Sequence, residues 1–154
     1  MIEIDIPGYK RVQIEHVVFD VNGTLALDGV LLGGVAPLIQ ELRQQVEVHL
    51  LTANTHGKQE AVDRELGLEA HIIQGGMVEK ASYVQGLGAE NVAAIGNGAN
   101  DRLMCELAAL GIAVIGGEGA ASSIITSADI VVNDIRDALA LLLKPNRICA
   151  TLRR

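Results

Sequence analysis

Apolar residues along this chain fall into short runs whose period changes every ten to fifteen positions. Ile2, Ile4 and Ile6 alternate with acids, Pro7-Gly8 turns the chain, and Val12 and Ile14 alternate again. A period of two with one wet face predicts a β-hairpin ahead of the core. Val17, Val18 and Phe19 then run on without a break and stop at Asp20, which predicts a buried strand over 16–20. Asp28-Gly29, flanked by apolar 25–27 and 30–32, is a hairpin-turn signal, so a small flap is expected just beyond Asp20. Val35, Leu38, Ile39 and Leu42 share one helical face, with Pro37 in the first turn. The alternation then repeats. Strands are expected near 46–51, 70–73, 91–95, 112–115 and 130–132. Helices are expected at 58–66 closed by Gly67, after Gly75-Gly76, up to about Leu110 with Gly111 as its stop, at 120–127, and at 135–143 before Pro145.

Short apolar strands alternating with helices predict an α/β fold. The expected form is one three-layer, doubly wound, Rossmann-like domain, its mainly parallel sheet covered by helices on both faces. Its parts are a hairpin extension at 1–15, a core at 16–143 and a tail at 144–154 without a readable pattern. Crossovers of one hand bring the C-terminal strand ends to one edge, where ligands of such folds bind.

Composition narrows the picture. Of 154 residues 49% are hydrophobic but only 2% aromatic, so the core must be aliphatic. A net charge of −7 argues against nucleic acid or an anionic membrane surface as partner. No apolar run approaches the roughly 20 residues of a membrane span, and a start carrying Glu3 and Asp5 does not read as a signal peptide. Cys105 and Cys149 lack CxxC spacing and read as reduced, buried thiols of a cytoplasmic protein. The four histidines, His16, His49, His56 and His71, are scattered, with no zinc-type spacing.

The informative polar residues stand at element ends. A carboxylate such as Asp20 at the end of a buried strand is costly unless a cation meets it. Gly23 lets the backbone turn tightly, with N–H groups toward an incoming anion. Thr52-Ala53 end the next strand, Lys80 lies near a helix start, and Asn97 and Asp101 follow a later strand. An acid, a hydroxyl, an ammonium and a second acid thus reach one edge, the set that phosphoryl transfer requires. Singly, Thr52 also reads as a strand-end cap, Lys80 as a solvated lysine and Asn97 with Asp101 as a turn and helix cap.

Asp20-Val21-Asn22-Gly23-Thr24 resembles the first motif of the haloacid dehalogenase (HAD) superfamily, DxDGT. Leu50-Leu51-Thr52 resembles its second motif, Lys80 its third, and Gly96-Asn97-Gly98-Ala99-Asn100-Asp101 its fourth, GDGxND. The likeness covers roughly 16–143 and is greatest to small capless proteins called soluble P-type ATPases. It implies a HAD-type domain without a cap. Asp20 would be the phosphorylated nucleophile, with Thr52, Ala53, Lys80 and Gly23 around the phosphoryl group. Mg²⁺ would lie among Asp20, the carbonyl of Asn22, Asn97 and Asp101.

Two departures bear on that expectation. Asn22 stands where the family's phosphatases carry a general acid/base, a loss that costs about 10²–10⁴ in rate. P-type ATPases also lack that acid, and their phosphoenzymes are long-lived. Asn97 removes one charge from the expected Mg²⁺ site. The spacings from Asp20 to Thr52 and from Thr52 to Lys80 leave no room for a cap or a nucleotide-binding domain, which excludes ATP-driven transport. Capless relatives often either oligomerise to shield the site or accept macromolecular substrates, so the resemblance implies a homo-oligomer by analogy, with a small phosphorylated substrate or a phosphoprotein as partner. Three functions follow as alternatives: a slow Mg²⁺-dependent phosphatase or phosphotransferase, a catalytically degenerate phosphate-binding regulator, and, less well matched, a receiver-like domain.

Overall fold

The elements form close to where the pattern predicts them, in a computed structural model that describes residues 1–54 and 57–154. Thr55 and His56 lie outside the described residues. Strands β1 (Ile2–Asp5) and β2 (Arg11–Ile14) pair antiparallel, with Ile2, Ile4, Val12 and Ile14 buried and Glu3, Asp5, Arg11 and Gln13 in water. The central strand β3 (His16–Asp20) follows, then a flap of β4 (Ala26–Leu27) and β5 (Val30–Leu31), turned by Asp28 and Gly29 at positive φ. Helix α1 (Val35–Leu42) leads to β6 (Glu47–Thr52), α2 (Gln59–Leu66), β7 (His71–Ile72), α3 (Gly76–Leu87) and β8 (Val92–Gly96). A 3-10 turn opens into α4 (Arg102–Leu107), followed by β9 (Leu110–Val114), α5 (Ser122–Ser127), β10 (Ile130–Val132), α6 (Ile135–Leu143) and α7 (Asn146–Leu152).

The six long-range strands form one parallel sheet in the order β10-β9-β8-β3-β6-β7. From β3 the chain walks outward through β6 and β7, then returns to β3's other side and walks out through β8, β9 and β10. That reversal opens a crevice past the C-terminal end of β3, where Asp20 stands. Among the described residues only the flap intervenes between β3 and α1, and only α2 between β6 and β7, so no cap is built in.

Strand alternation divides the core between the two faces. Val17 and Phe19 point toward α1, α2, α6, α7 and the hairpin, whereas Val18 packs with Val84 of α3, Met104 of α4 and Ile124 of α5. Phe19, the lone phenylalanine, is fully buried, which contributes about 1.5–3 kcal/mol. Asp20 and His16 share the Val18 face and so look toward α3.

Three expectations need correction. The tail is helical: α7 buries Ile148 and packs Cys149 and Leu152 against the hairpin's isoleucines. Its apolar stripe has meaning only beside a surface more than a hundred residues away. Gly111 is not a helix stop but lies inside β9, where a Cβ would meet the Cys105 carbonyl at 2.6 Å. Cys105 is buried, but Cys149 is only half-buried, its thiol donating to the Asp5 carbonyl at 3.3 Å.

Candidate active site

Local sequence explains how each polar side chain reaches the crevice. Asp20 ends β3, Thr52 ends β6, and α3 starts beside them and runs back under the sheet. Lys80, one turn into α3, therefore points at the strand ends and is 2% exposed, which removes the reading of a solvated lysine. Its Nζ donates to Asp20 Oδ1 at 2.8 Å and to Asp101 Oδ1 at 2.7 Å. Asp101 is wholly buried, and its other oxygen accepts the N–H groups of Asn97 (3.1 Å) and Gly98 (3.0 Å), which fixes the loop after β8. Gly96 permits this, since a Cβ there would overlap the Asp101 carboxylate.

Thr24 completes the floor. Its hydroxyl lies 3.2 Å from both Asp20 Oδ2 and Asn97 Oδ1, so those two oxygens face a common point. Thr52 Oγ1 accepts from Asn22 Nδ2 (3.2 Å) and from the Asn54 N–H (2.9 Å), and so braces the side chain of Asn22 and the loop after β6. Asn22 is thus held toward β6 through its amide. Gly23 adopts φ +83, and a Cβ there would lie 2.6 Å from Asn97 Nδ2 and overlap Glu118. Its N–H, however, donates to the Ala26 carbonyl at 2.7 Å and does not face an anion. Glycine is needed here for the turn and its clearance. The N–H groups of Asn22 and Ala53 donate to no partner among the described residues and flank the crevice instead.

These residues line a pocket of about 230 Å³ bounded by Asp20, Asn22, Ala53, Lys80, Asn97, Gly98, Asn100 and Glu118. All the expected site residues except Gly23 thus either line it or hold a residue that does. Sequence reasoning missed Thr24, which stood inside the motif without a role, and Glu118. The latter follows β9 in Gly116-Gly117-Glu118-Gly119, so the strand-end rule that found Asp20 and Asp101 reaches it one strand further out.

Charge is unbalanced in this pocket. Burial, reinforced by the Asp101 carboxylate and opposed by Lys80, raises the Asp20 pKa to about 7. Burial alone would lower Lys80, but Asp20 and Asp101 outweigh it and hold the ammonium above the usual lysine value. Two buried carboxylates share one ammonium, and the Asn22 carbonyl accepts no hydrogen bond among the described residues. Hard oxygen donors, an open carbonyl and surplus negative charge suit a divalent cation of the Mg²⁺ type.

No family model matches the chain. It is 52% identical over 80 residues, 49% of this chain and 86% of the relative, to a protein of Methanocaldococcus jannaschii described as uncharacterised. Over 126 residues, 79% of this chain, it is 34% identical to a protein of Archaeoglobus fulgidus described as a copper-exporting P-type ATPase, of which it spans 15%. Solved HAD-superfamily hydrolases and phosphatases align along most of the chain. The 3-deoxy-D-manno-octulosonate 8-phosphate phosphatase of Moraxella catarrhalis, solved with magnesium and phosphate ions, superposes with TM-score 0.65 and 21% identity over 91% of this chain and 94% of its own. The fold is that of the HAD superfamily. Asn22 and Asn97 bring two amides to the pocket, and Glu118 brings another carboxylate to the same rim.

Proposed function

We propose that this protein is a HAD-type phosphatase or phosphotransferase that works through an aspartyl-phosphate on Asp20 and turns over slowly. The observation that carries this reading is the Lys80 ammonium, buried between Asp20 and Asp101 on the floor of a pocket open to solvent. A buried ammonium fixed beside a carboxylate nucleophile is a counter-charge set in advance for phosphoryl oxygens. The proton of Thr52 and the N–H groups of Asn22 and Ala53 add neutral donors on the opposite wall.

In the first half-reaction an Asp20 oxygen forms a bond to phosphorus as the bond from phosphorus to the leaving oxygen breaks. The leaving group departs as an oxyanion and takes its proton from solvent, because the Asn22 amide cannot give one. In the second, water attacks phosphorus, the Asp20–phosphorus bond breaks, and phosphate and the carboxylate are restored. Asn22 orients water but cannot accept its proton, so this half is slow. Asp20, the Asn22 carbonyl and Asn97 Oδ1 would hold Mg²⁺, with Glu118 at the rim and Asp101 acting through Lys80. When bound, that ion supplies charge neutralisation for the phosphoryl group. The substrate class is a small phosphorylated molecule or a phosphoprotein, since a pocket of about 230 Å³ takes little beyond the phosphoryl end.

A second reading, a phosphate-binding regulator, draws on the Asn22–Thr52 hydrogen bond, which keeps the amide away from a water-activating role. One experiment separates the two. Acetyl phosphate, whose leaving group needs little acid assistance, labels Asp20 in a burst followed by slow turnover if the enzyme reading holds. The Asn22→Asp/Asn97→Asp variant then hydrolyses p-nitrophenyl phosphate at least ~10-fold faster than the parent. An unlabelled Asp20 together with an inert, folded double variant establishes the binding-only reading.

A further inference from the structure

Two histidines that lie far apart in the sequence, His16 and His49, meet once the chain is folded. Parallel pairing of β3 with β6 sets His16 beside Glu47, and His49 follows on the same face two residues on. His16 Nδ1 lies 3.1 Å from His49 Nε2 and 3.4 Å from Glu47 Oε2, and His49 Nε2 lies 3.9 Å from Glu47 Oε1. The sequence hides this cluster because His16 lies 31 and 33 positions from Glu47 and His49, and only the strand register closes the gap.

From these three residues we infer a second metal site, one that takes a divalent first-row transition-metal ion such as Zn²⁺ on His16 Nδ1, His49 Nε2 and the Glu47 carboxylate, with the fourth position open to solvent. Donors at tetrahedral corners with bonds of about 2.0–2.1 Å lie about 3.3–3.4 Å apart, close to the separations found here. The donor set, two imidazoles and a carboxylate, belongs to metals of the zinc class rather than to Mg²⁺.

The surroundings are also those of a ligand set. His49 Nδ1 stands 2.9 Å from the Tyr83 hydroxyl, and in the tautomer that donates Nδ1–H to Tyr83 Oη the Nε2 lone pair faces His16. A second hydrogen-bond partner of this kind fixes the tautomer of a ligating histidine. His71 packs on Tyr83 with ring centroids 5.1 Å apart, so three of the chain's four histidines gather about one of its two tyrosines. The site is separate from the phosphoryl pocket. His16 opens β3 and Asp20 closes it, roughly 13 Å apart at the rise of a strand.

Untagged, EDTA-treated full-length protein is titrated with Co²⁺ in excess Mg²⁺, which occupies the hard-oxygen pocket. One equivalent should bind with the intense visible bands of tetrahedral cobalt, and Zn²⁺ should bleach them. His16→Ala and His49→Gln should each abolish the bands, whereas Asp20→Asn should leave them unchanged. Tyr83→Phe should keep the stoichiometry and weaken binding about 10-fold. Glu47 is exposed, so Glu47→Ala keeps the fold and should weaken binding as well, and circular dichroism verifies folding in every variant. The inference is overturned if the parent protein shows no stoichiometric tetrahedral signal, or if the signal survives the loss of both histidines. In either case the Tyr83–His49–His16 array is a hydrogen-bonded relay only.

Discussion

Lys80 is the residue on which the pocket turns. Removing one partner of a buried charge set costs about 3–5 kcal/mol because the others are left uncompensated. Lys80→Met should therefore lower stability by about that amount and abolish labelling of Asp20, both read by chemical denaturation and mass spectrometry. The Asp20→Asn/Lys80→Met double variant should lose less than the sum of its single changes, since the two residues share one interaction. Glu118→Gln should leave stability unchanged, because its side chain is exposed, while weakening Mg²⁺ binding roughly 10-fold by calorimetry. Asp20 and Thr52 were legible in the sequence because each ends a strand whose apolar run announces it, and Lys80 and Asp101 because each follows glycines that mark a turn into a helix. The reach of Thr24 to two acceptors was not, since it depends on how tightly the loop after β3 folds back.

At the scale of elements, α3 positions the most chemistry, and its N-terminus is fastened by one side chain. Glu79 accepts the N–H groups of Gln74 (2.9 Å) and Gly75. Those backbone hydrogen bonds hold its carboxyl below the usual glutamate pKa. A carboxylate held low contributes stability that is present above the unfolded pKa and is lost as pH falls through the folded one. Glu79→Gln should accordingly lower the melting temperature at pH 7, and the gap from the parent should close as pH falls below about 4. Elements themselves were largely readable, with boundaries shifted by one or two residues. Gly111 and the tail were not, because a close backbone approach in β9 and the apolar stripe of α7 are answered by partners distant in sequence.

At the scale of the whole molecule, the surplus of negative charge at one sheet edge should make stability depend on cations. Mg²⁺ with beryllium fluoride, each at about 100 times its Kd, should raise stability by about 2.7 kcal/mol and the melting temperature by roughly 5–10 °C in a thermal scan. Asp20→Asn should remove most of that shift. No helix among the described residues is long and apolar enough to cross a membrane. The sheet's own margins carry a different consequence. Its outer strands, β7 and β10, are two and three residues long, although Ile72 and Val131 face outward on them. An unfamiliar strand arriving at either margin finds too few free amides and carbonyls to zip onto. The central sheet thereby offers little purchase for edge-to-edge stacking into fibres.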